Sequence, residues 1–545
     1  MTSSPDNNTP STLEKADSGK QVSGNYRFWG FSVRFWGVLI FLFVFLVPFG
    51  IKHGPVALFF GIITLLEVVL LFNILIIVHE LGHFLAAKWC GLKIDKFAIW
   101  FGHPIWSKKI DGVEYILGSI PAGGYVALPQ MAPMEAIEGK TDTPREELPA
   151  ASPWQKIIVA FAGPLFSFGL ALVFAVLVWI VGKPVSYPEN TTIIGYVRPD
   201  SPAAKAGIQP GDKVISIDNH PITKFMGMGD SVIWRIVTST ADTIPVVVQR
   251  DKQIRTFTVA PEKDLDHSHT WWQRGATRKI GIGPADFALI IKKILPNSPA
   301  ITAGLQPGDQ LTAMNGQPLY SPAQIDQQLK DHPTTPIQFA VTRPAPAPNP
   351  TNAPPGKLVI NVTPEKPISP ANIPKELPQT AIGLEDDDAW ETKVTLSHDT
   401  PWQQVADSVS AVTSTLSALF QPHSSIGASQ LSGPVGIMRI FFDVLSSPDG
   451  WKLALWFAVL INVNLAMLNL FPLPVLDGGH IALSILEWIR RRPLSMHILE
   501  PLQTACAVVL IGYMAFITFF DVQDAGTEAL SSGSEVKFAP KQNVP

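Results

Sequence analysis

Five apolar runs, at about 34–52, 56–86, 154–182, 451–476 and 500–520, each reach the length that crosses a bilayer with some tilt. Nothing else limits the fold as strongly, because backbone in hydrocarbon must satisfy its own hydrogen bonds and therefore spans as helix. The 16% charged content suits such a chain, and 45 acidic against 41 basic residues leave no basic surface for nucleic acid. Residues 1–26 are polar with acids mixed in, unlike a transit peptide, and the run Phe35 to Ile51 has no clear cleavage site, so it reads as a retained anchor. Cys90 and Cys506 both lie in or beside spans, which implies no disulfide framework.

Basic residues gather before the first run (Lys15, Lys20, Arg27, Arg34), between the second and third (Lys88, Lys93, Lys96, Lys108, Lys109, Lys156) and between the fourth and fifth (Arg490, Arg491, Arg492). With five spans all three clusters fall on one side, which the positive-inside rule makes cytoplasmic. The region 183–450 and the C-terminal tail are then expected outside.

The second run ends in His79-Glu80-Leu81-Gly82-His83. On a helix, residues four apart share a face, so both imidazoles can reach one Zn²⁺ while Glu80 projects beside it to deprotonate an activated water. A five-residue match also arises by chance, and a histidine near a helix end is more often a surface or core residue. Three ionisable residues at bilayer depth are nevertheless costly unless they function. Two histidines leave a catalytic zinc one protein ligand short, and the segment Asn469 to His480, Asn-Leu-Phe-Pro-Leu-Pro-Val-Leu-Asp-Gly-Gly-His, offers two candidates, Asp477 and His480. Spacing does not separate them. Its prolines suit a broken helix lining a polar cavity, or a cytoplasmic turn.

Between these two segments, Ser201 to Asp212 (Ser-Pro-Ala-Ala-Lys-Ala-Gly-Ile-Gln-Pro-Gly-Asp) recurs as Ser298 to Asp309 (Ser-Pro-Ala-Ile-Thr-Ala-Gly-Leu-Gln-Pro-Gly-Asp), so two domains of one fold are expected. Both copies resemble bacterial PDZ domains over 190–264 and 281–365, a fold that receives extended peptides as an added strand. The Pro-rich stretch 344–356 reads as a loop insertion and Glu385 to Asp388 as a solvated linker. Val405, Val409, Val412, Leu416 and Leu419, capped by Thr400, predict an amphipathic helix that packs on a core or lies at the membrane surface. Strand-like pieces at 113–117 and 124–128 predict a β-hairpin, membrane-associated or cytoplasmic.

Taken together, the HExxH run, Asn469 to Gly478, the tandem repeat, and Phe101-Gly102, Gly112 to Tyr115, Gly123 to Val126 and Leu431 to Pro434 resemble the site-two protease family of intramembrane zinc metalloproteases, over about 57–520. The resemblance implies His79, His83 and Asp477 as Zn²⁺ ligands, in preference to His480, with Glu80 as general base and Asn469 as a contact to the substrate backbone. It implies that 111–128 is a membrane-embedded β-loop holding substrate extended. It further implies a bacterial inner-membrane, multi-pass enzyme that cuts single-span proteins, such as anti-sigma factors or signal-peptide remnants, after an external trim. Ser167, where the family often has Asn, and the first span depart from its pattern.

The expected fold is a polytopic α-helical membrane protein with a membrane-associated β-hairpin region and two extracytoplasmic PDZ-like α+β domains. Its expected blocks are a tail (1–33), helices at 34–52 and 56–89, the β-loop region (90–152) and a helix at 153–182. The PDZ-like pair (190–264, 281–365) follows, then a linker with the amphipathic helix (366–450), helices at 451–492 and 498–520, and a tail (521–545). A membrane-tethered PDZ scaffold without protease activity is the rival reading, against which the intact Glu80 speaks. A transporter would explain membrane His and Asp residues but not the repeats.

Overall fold

The computed structural model describes residues 27–28, 31–131, 148–263, 274, 277–286, 289–344, 356–368, 378–385, 389–391, 393–421, 424–492, 496–531 and 536–539, with side chains from Leu58 onward. Among these, four helices are long and apolar enough to cross a membrane: Leu58–Trp89, Pro153–Val181, Gly450–Asn469 and Leu499–Asp524. The chain is a polytopic membrane protein with sheet regions.

Helix α1 runs without a turn from Val33 to Trp89, 57 residues. The two spans expected at 34–52 and 56–89 are therefore one helix, about 86 Å long at 1.5 Å per residue. Both stretches are apolar and helix-forming, and the few residues between them do not reverse the chain.

After α1 the sheet expected as a hairpin has four strands: β1 (Lys96–Phe101), β2 (Trp106–Ile110), β3 (Val113–Leu117) and β4 (Ile120–Ala127), in the order β2-β3-β1-β4. Asp111 and Gly112, both with positive φ, close the β2–β3 hairpin as Asp-Gly turns do. The sequence reading missed β1 and β2 because their charged and aromatic residues break the alternation. β1 is pinned to α1 by the Trp100 indole, which donates to Asn73 Oδ1. β4 is left as an edge strand against α1.

Helix α2 (Pro153–Val181) opens with a capping box, in which Ser152 Oγ accepts from Gln155 N at 3.3 Å and Pro153 takes the first turn. It lies along α1 because both backbones are small where they meet. A Cβ on Gly82 would sit 2.5 Å from Ala162 O, so only glycine allows the approach.

From α2 the chain enters β5 (Lys183–Ser186), which pairs with a strand more than two hundred residues later, described below as β16. Everything between is thus inserted through a two-stranded ribbon. The first inserted unit contains β6 (Ile194–Val197), β7 (Lys213–Ile217), α3 (Val232–Thr238), β8 (Ile244–Arg250), β9 (Gln253–Val259) and β10 (Ile282–Pro284). The second repeats it with β11 (Ile290–Ile291), β12 (Gln310–Met314), α4 (Ala323–Asp331), β13 (Ile337–Arg343), β14 (Gly356–Val362) and β15 (Trp390–Glu391). Each has its own apolar core, which includes Ile280 in the first and Ile382, Leu384 and Ala389 in the second, so each unit draws on residues past 264 and 365. The repeated Asp is buried in both copies: Arg250 grips Asp212 with two bonds of 2.6 Å, and Arg343 grips Asp309 at 2.6 and 2.7 Å. Those arginines lie far along the chain and were not foreseen. The Pro-rich loop between β13 and β14 (345–355) and Asp386 to Asp388 lie outside the described residues.

β16 (Val394–Ser397) returns the chain to α5 (Pro401–Phe420), capped by Thr400 as expected, with Val405 buried and Val409 half-buried against a core shared with α2 and the later helix Gly450–Asn469. Helix α6 (Pro434–Leu445) precedes α7 (Gly450–Asn469). The block expected as one helix over 451–492 is broken: α7 stops at Asn469, residues 470–476 form a tight loop with Pro472 and Pro474, and α8 starts at Asp477 and ends at Arg490. Helix α9 (Met496–Ser531) completes the bundle. Its buried Asp521 accepts from Gly433 N and Gly436 N at the start of α6 and from Arg274 at 2.8 Å. Past α9, Phe538 packs on Leu295 and Ala381, so the C-terminal tail meets the second unit.

Candidate metal centre and active site

His79 and His83 sit one turn apart near the end of α1, and Asp477 is the first residue of α8, approaching across α2. His79 Nε2 lies 3.3 Å from His83 Nε2 and 3.2 Å from Asp477 Oδ2, and His83 Nε2 lies 3.4 Å from Asp477 Oδ1. Ligand atoms placed tetrahedrally around Zn²⁺ at about 2.0–2.1 Å are separated by roughly 3.3 Å, so the spacing fits that ion. Among the described residues, this is the one group of three His, Cys, Asp or Glu side chains whose donor atoms converge within 4.8 Å.

Proton bookkeeping supports the same fit. His83 Nδ1 is 2.8 Å from Val159 O, a carbonyl that can only accept, so the neutral ring carries its proton there and turns a bare Nε2 inward. His79 Nδ1 is 2.9 Å from Ser167 Oγ. Asp477 Oδ2 is close to His79 Nε2 yet buried without a hydrogen-bond partner among the described residues. The inward Nε2 of His83, the neighbouring Nε2 of His79 and the Asp477 carboxylate, one oxygen of which has no hydrogen bond among the described residues, form a donor set for a dication.

Small residues make room for this. A Cβ on Gly163 would lie 2.2 Å from His83 Nε2 and 2.9 Å from His79 Nε2, so α2 can pass the imidazoles only as glycine. Gly478 and Gly479 serve the opposite wall, where side chains would strike Leu470 O and Leu473 O of the folded-back loop.

Glu80, Gly124 and Tyr125 of β4, Asn469 and His480 line the same cavity, of about 200 Å³. A Cβ on Gly124 would stand 3.3 Å from Glu80 Cγ, so the edge strand passes against the stem of that side chain. Asn469 points its amide at His79 Nε2, at 3.1 Å. His480 lines the cavity without joining the converging trio.

The sequence marks Ser167 only as a departure from the family pattern and gives no sign of its contact with His79, while Gly163 looks like any small residue in an apolar helix. Ser167 is fully buried and holds the His79 ring. Ser167→Ala is expected to weaken zinc affinity about 10–100-fold, since second partners of metal-bound histidines carry that much, with Ser167→Asn restoring it. Competition against a calibrated chelator measures both; an unchanged affinity in Ser167→Ala contradicts the role.

An HExxH helix meeting a carboxylate from a broken helix, in a cavity walled by membrane-length helices, defines a metal-dependent peptidase of the membrane. The chain belongs to peptidase family M50, whose model matches residues 67–513. It is similar to the regulator of sigma-E protease RseP of Salmonella typhimurium, 29% identical over 465 residues that cover 82% of this chain and 96% of that protein. It is similar also to protease RseP of Yersinia pestis, 30% over 467 residues with the same shares. A Vibrio cholerae protein that carries a zinc-metalloprotease name is 30% identical over 479 residues, again 82% and 96%. The protein is a zinc metalloprotease of the site-two type, acting on membrane-bound substrates.

Proposed function

We propose that His79, His83 and Asp477 hold the zinc, that Glu80 is the general base, and that the enzyme cleaves single-span proteins inside the bacterial inner membrane after an external cut has trimmed them. The observation that carries the residue roles is the convergence of three donors from α1 and α8 at 3.2–3.4 Å, with Glu80 lining the same cavity. When bound, zinc would supply a Lewis acid that polarises the scissile carbonyl and eases deprotonation of water. Glu80 takes a proton from the attacking water and passes it to the leaving amide nitrogen. The free edge of β4 accepts the unwound substrate as an added strand, exposing carbonyls that a helix would hide. Asn469 donates to the substrate backbone beside it. Anti-sigma factors, in keeping with the names of the sigma-E regulators, and signal-peptide remnants are the substrate classes we favour.

The two inserted units are PDZ-like domains on the extracytoplasmic side. Two features support one side for both units and the tail: Phe538 packs on the second unit, and Arg274 pairs with Asp521 and Asp524 at the far end of α9. So placed, they cannot supply catalytic groups, and they filter substrates by size.

The β5–β16 ribbon allows a clean test, because residues 190–391 can be removed and the ribbon closed with a short turn. In proteoliposomes the deletion is expected to leave cleavage of a trimmed single-span substrate unchanged and to admit one that retains a folded external domain. Slower cleavage of the trimmed form would favour recruitment by the PDZ-like units instead. No change in either rate would contradict both roles.

A further inference from the structure

The loop 470–476 ends on Asp477, and its own backbone does little to fix it. Pro472 and Pro474 have no N–H to give a helical bond. The bonds the loop does make are local: Leu470 N donates to Met467 O, Phe471 N to Leu468 O, Leu473 N to Phe471 O and Leu476 N to Leu473 O. Val475 and Leu476 line the cavity and Asp477 follows at once, so a shift of the loop moves a donor that a metal needs in place to within about 0.2 Å.

Among the described residues, one hydrogen bond reaches this loop from a distant part of the chain: Gln503 Nε2 donates to Pro474 O at 3.3 Å. Gln503 belongs to α9, none of whose described residues lines the cavity. Leu499, Gln503 and Ala507, each four residues from the next, form a buried stripe on one face of that helix, while Leu502 and Val508 are exposed. Gln503 is 5% exposed between two apolar neighbours. A glutamine buried in a membrane-length helix costs free energy unless its amide is engaged. Its Oε1 has no partner among the described residues, so the bond to Pro474 is the engagement the structure records.

Beyond Asp477, α8 is tied to α2, where Lys156 donates to Glu487 at 2.6 Å. Asp477 thus stands between two tethers, to α9 ahead of it and to α2 behind it.

We propose that Gln503 is a positioning residue for the zinc site: its amide holds Pro474 O so that the loop presents Asp477 to His79 and His83. Helix α9 then belongs to the metal centre although it supplies no ligand. Asp477 as the third ligand is the reading on which this rests.

Gln503→Met keeps the length and bulk of the side chain and removes the donor, and Gln503→Leu removes it on a shorter apolar chain. Full-length protein in detergent is titrated with zinc against a calibrated chelator, and the metal-free protein is followed by hydrogen–deuterium exchange and thermal unfolding. Both variants are expected to bind zinc about tenfold more weakly, the low end of what partners behind a metal ligand carry. Peptides covering 471–480, in which the Leu476, Gly479 and His480 amides are bonded within the segment, are expected to exchange faster, with peptides of α1 and α2 as in the wild type. Gln503→Met is expected to unfold at the wild-type temperature, because losing the orphaned Oε1 offsets the donor lost by Pro474 O. A packing role would instead leave zinc affinity intact in this apolar isostere.

Unchanged zinc affinity in Gln503→Met, or faster exchange spread over the whole bundle, overturns the proposal. Asp477→Asn in the same titration separates the two readings. Zinc lost there but held at full affinity in Gln503→Met overturns the positioning role alone; zinc retained in Asp477→Asn overturns the ligand assignment and the positioning role with it.

Discussion

Glu80→Gln is expected to keep its zinc and its fold and to lose at least about 10³-fold in cleavage rate, near the upper range of what one positioned acid–base group contributes. The amide fills the same space beneath Gly124, so the packing of β4 over α1 is preserved. It cannot accept a proton from the attacking water. Rates measured in proteoliposomes with a trimmed single-span substrate, alongside zinc content and thermal unfolding, separate the chemical loss from a structural one. Cleavage near the wild-type rate at full zinc occupancy would remove Glu80 from the mechanism.

Asp477→Asn acts one step earlier, at the metal. The carboxylate is the one anionic group in the trio, and without it two neutral imidazoles are the donors left to a dication, one protein ligand short of a catalytic zinc site. Zinc affinity is expected to fall by at least about 100-fold, a loss of roughly 2.7 kcal/mol, and cleavage with it. His480→Ala should keep its metal, because that ring lines the cavity without reaching the donors. Chelator competition on both variants gives the comparison directly. Retained zinc in Asp477→Asn together with lost zinc in His480→Ala would move the third ligand to His480.

Much of this was readable in the chain because it rests on local pattern. HExxH puts two histidines on one helix face by spacing alone, the Pro-Leu-Pro segment announces the break after Asn469, and the repeated Gly-Asp turns announce two copies of one fold. What could not be read depends on which apolar faces meet. Nothing in the sequence distinguishes Gly163 from other small residues of α2 although it lets the imidazoles in, and the family pattern marks Ser167 without revealing that it meets His79. Asn73 and Trp100 are joined only once β1 folds back on α1. Arg250 and Arg343 find the repeated aspartates across a sheet. The spans expected at 34–52 and 56–89 failed to separate for the opposite reason: apolarity sets helix content but says little about where a helix turns.

Two imidazoles and one carboxylate, from α1 and α8, are expected to hold a single zinc. X-ray absorption at the zinc edge of the full-length protein, with metal content measured on the same sample, tests it most directly. The expected result is one zinc per chain, with light-atom ligands at about 2.0–2.2 Å and the multiple-scattering signature of two imidazoles. A spectrum requiring three imidazoles, or one unchanged by Asp477→Asn, would contradict it.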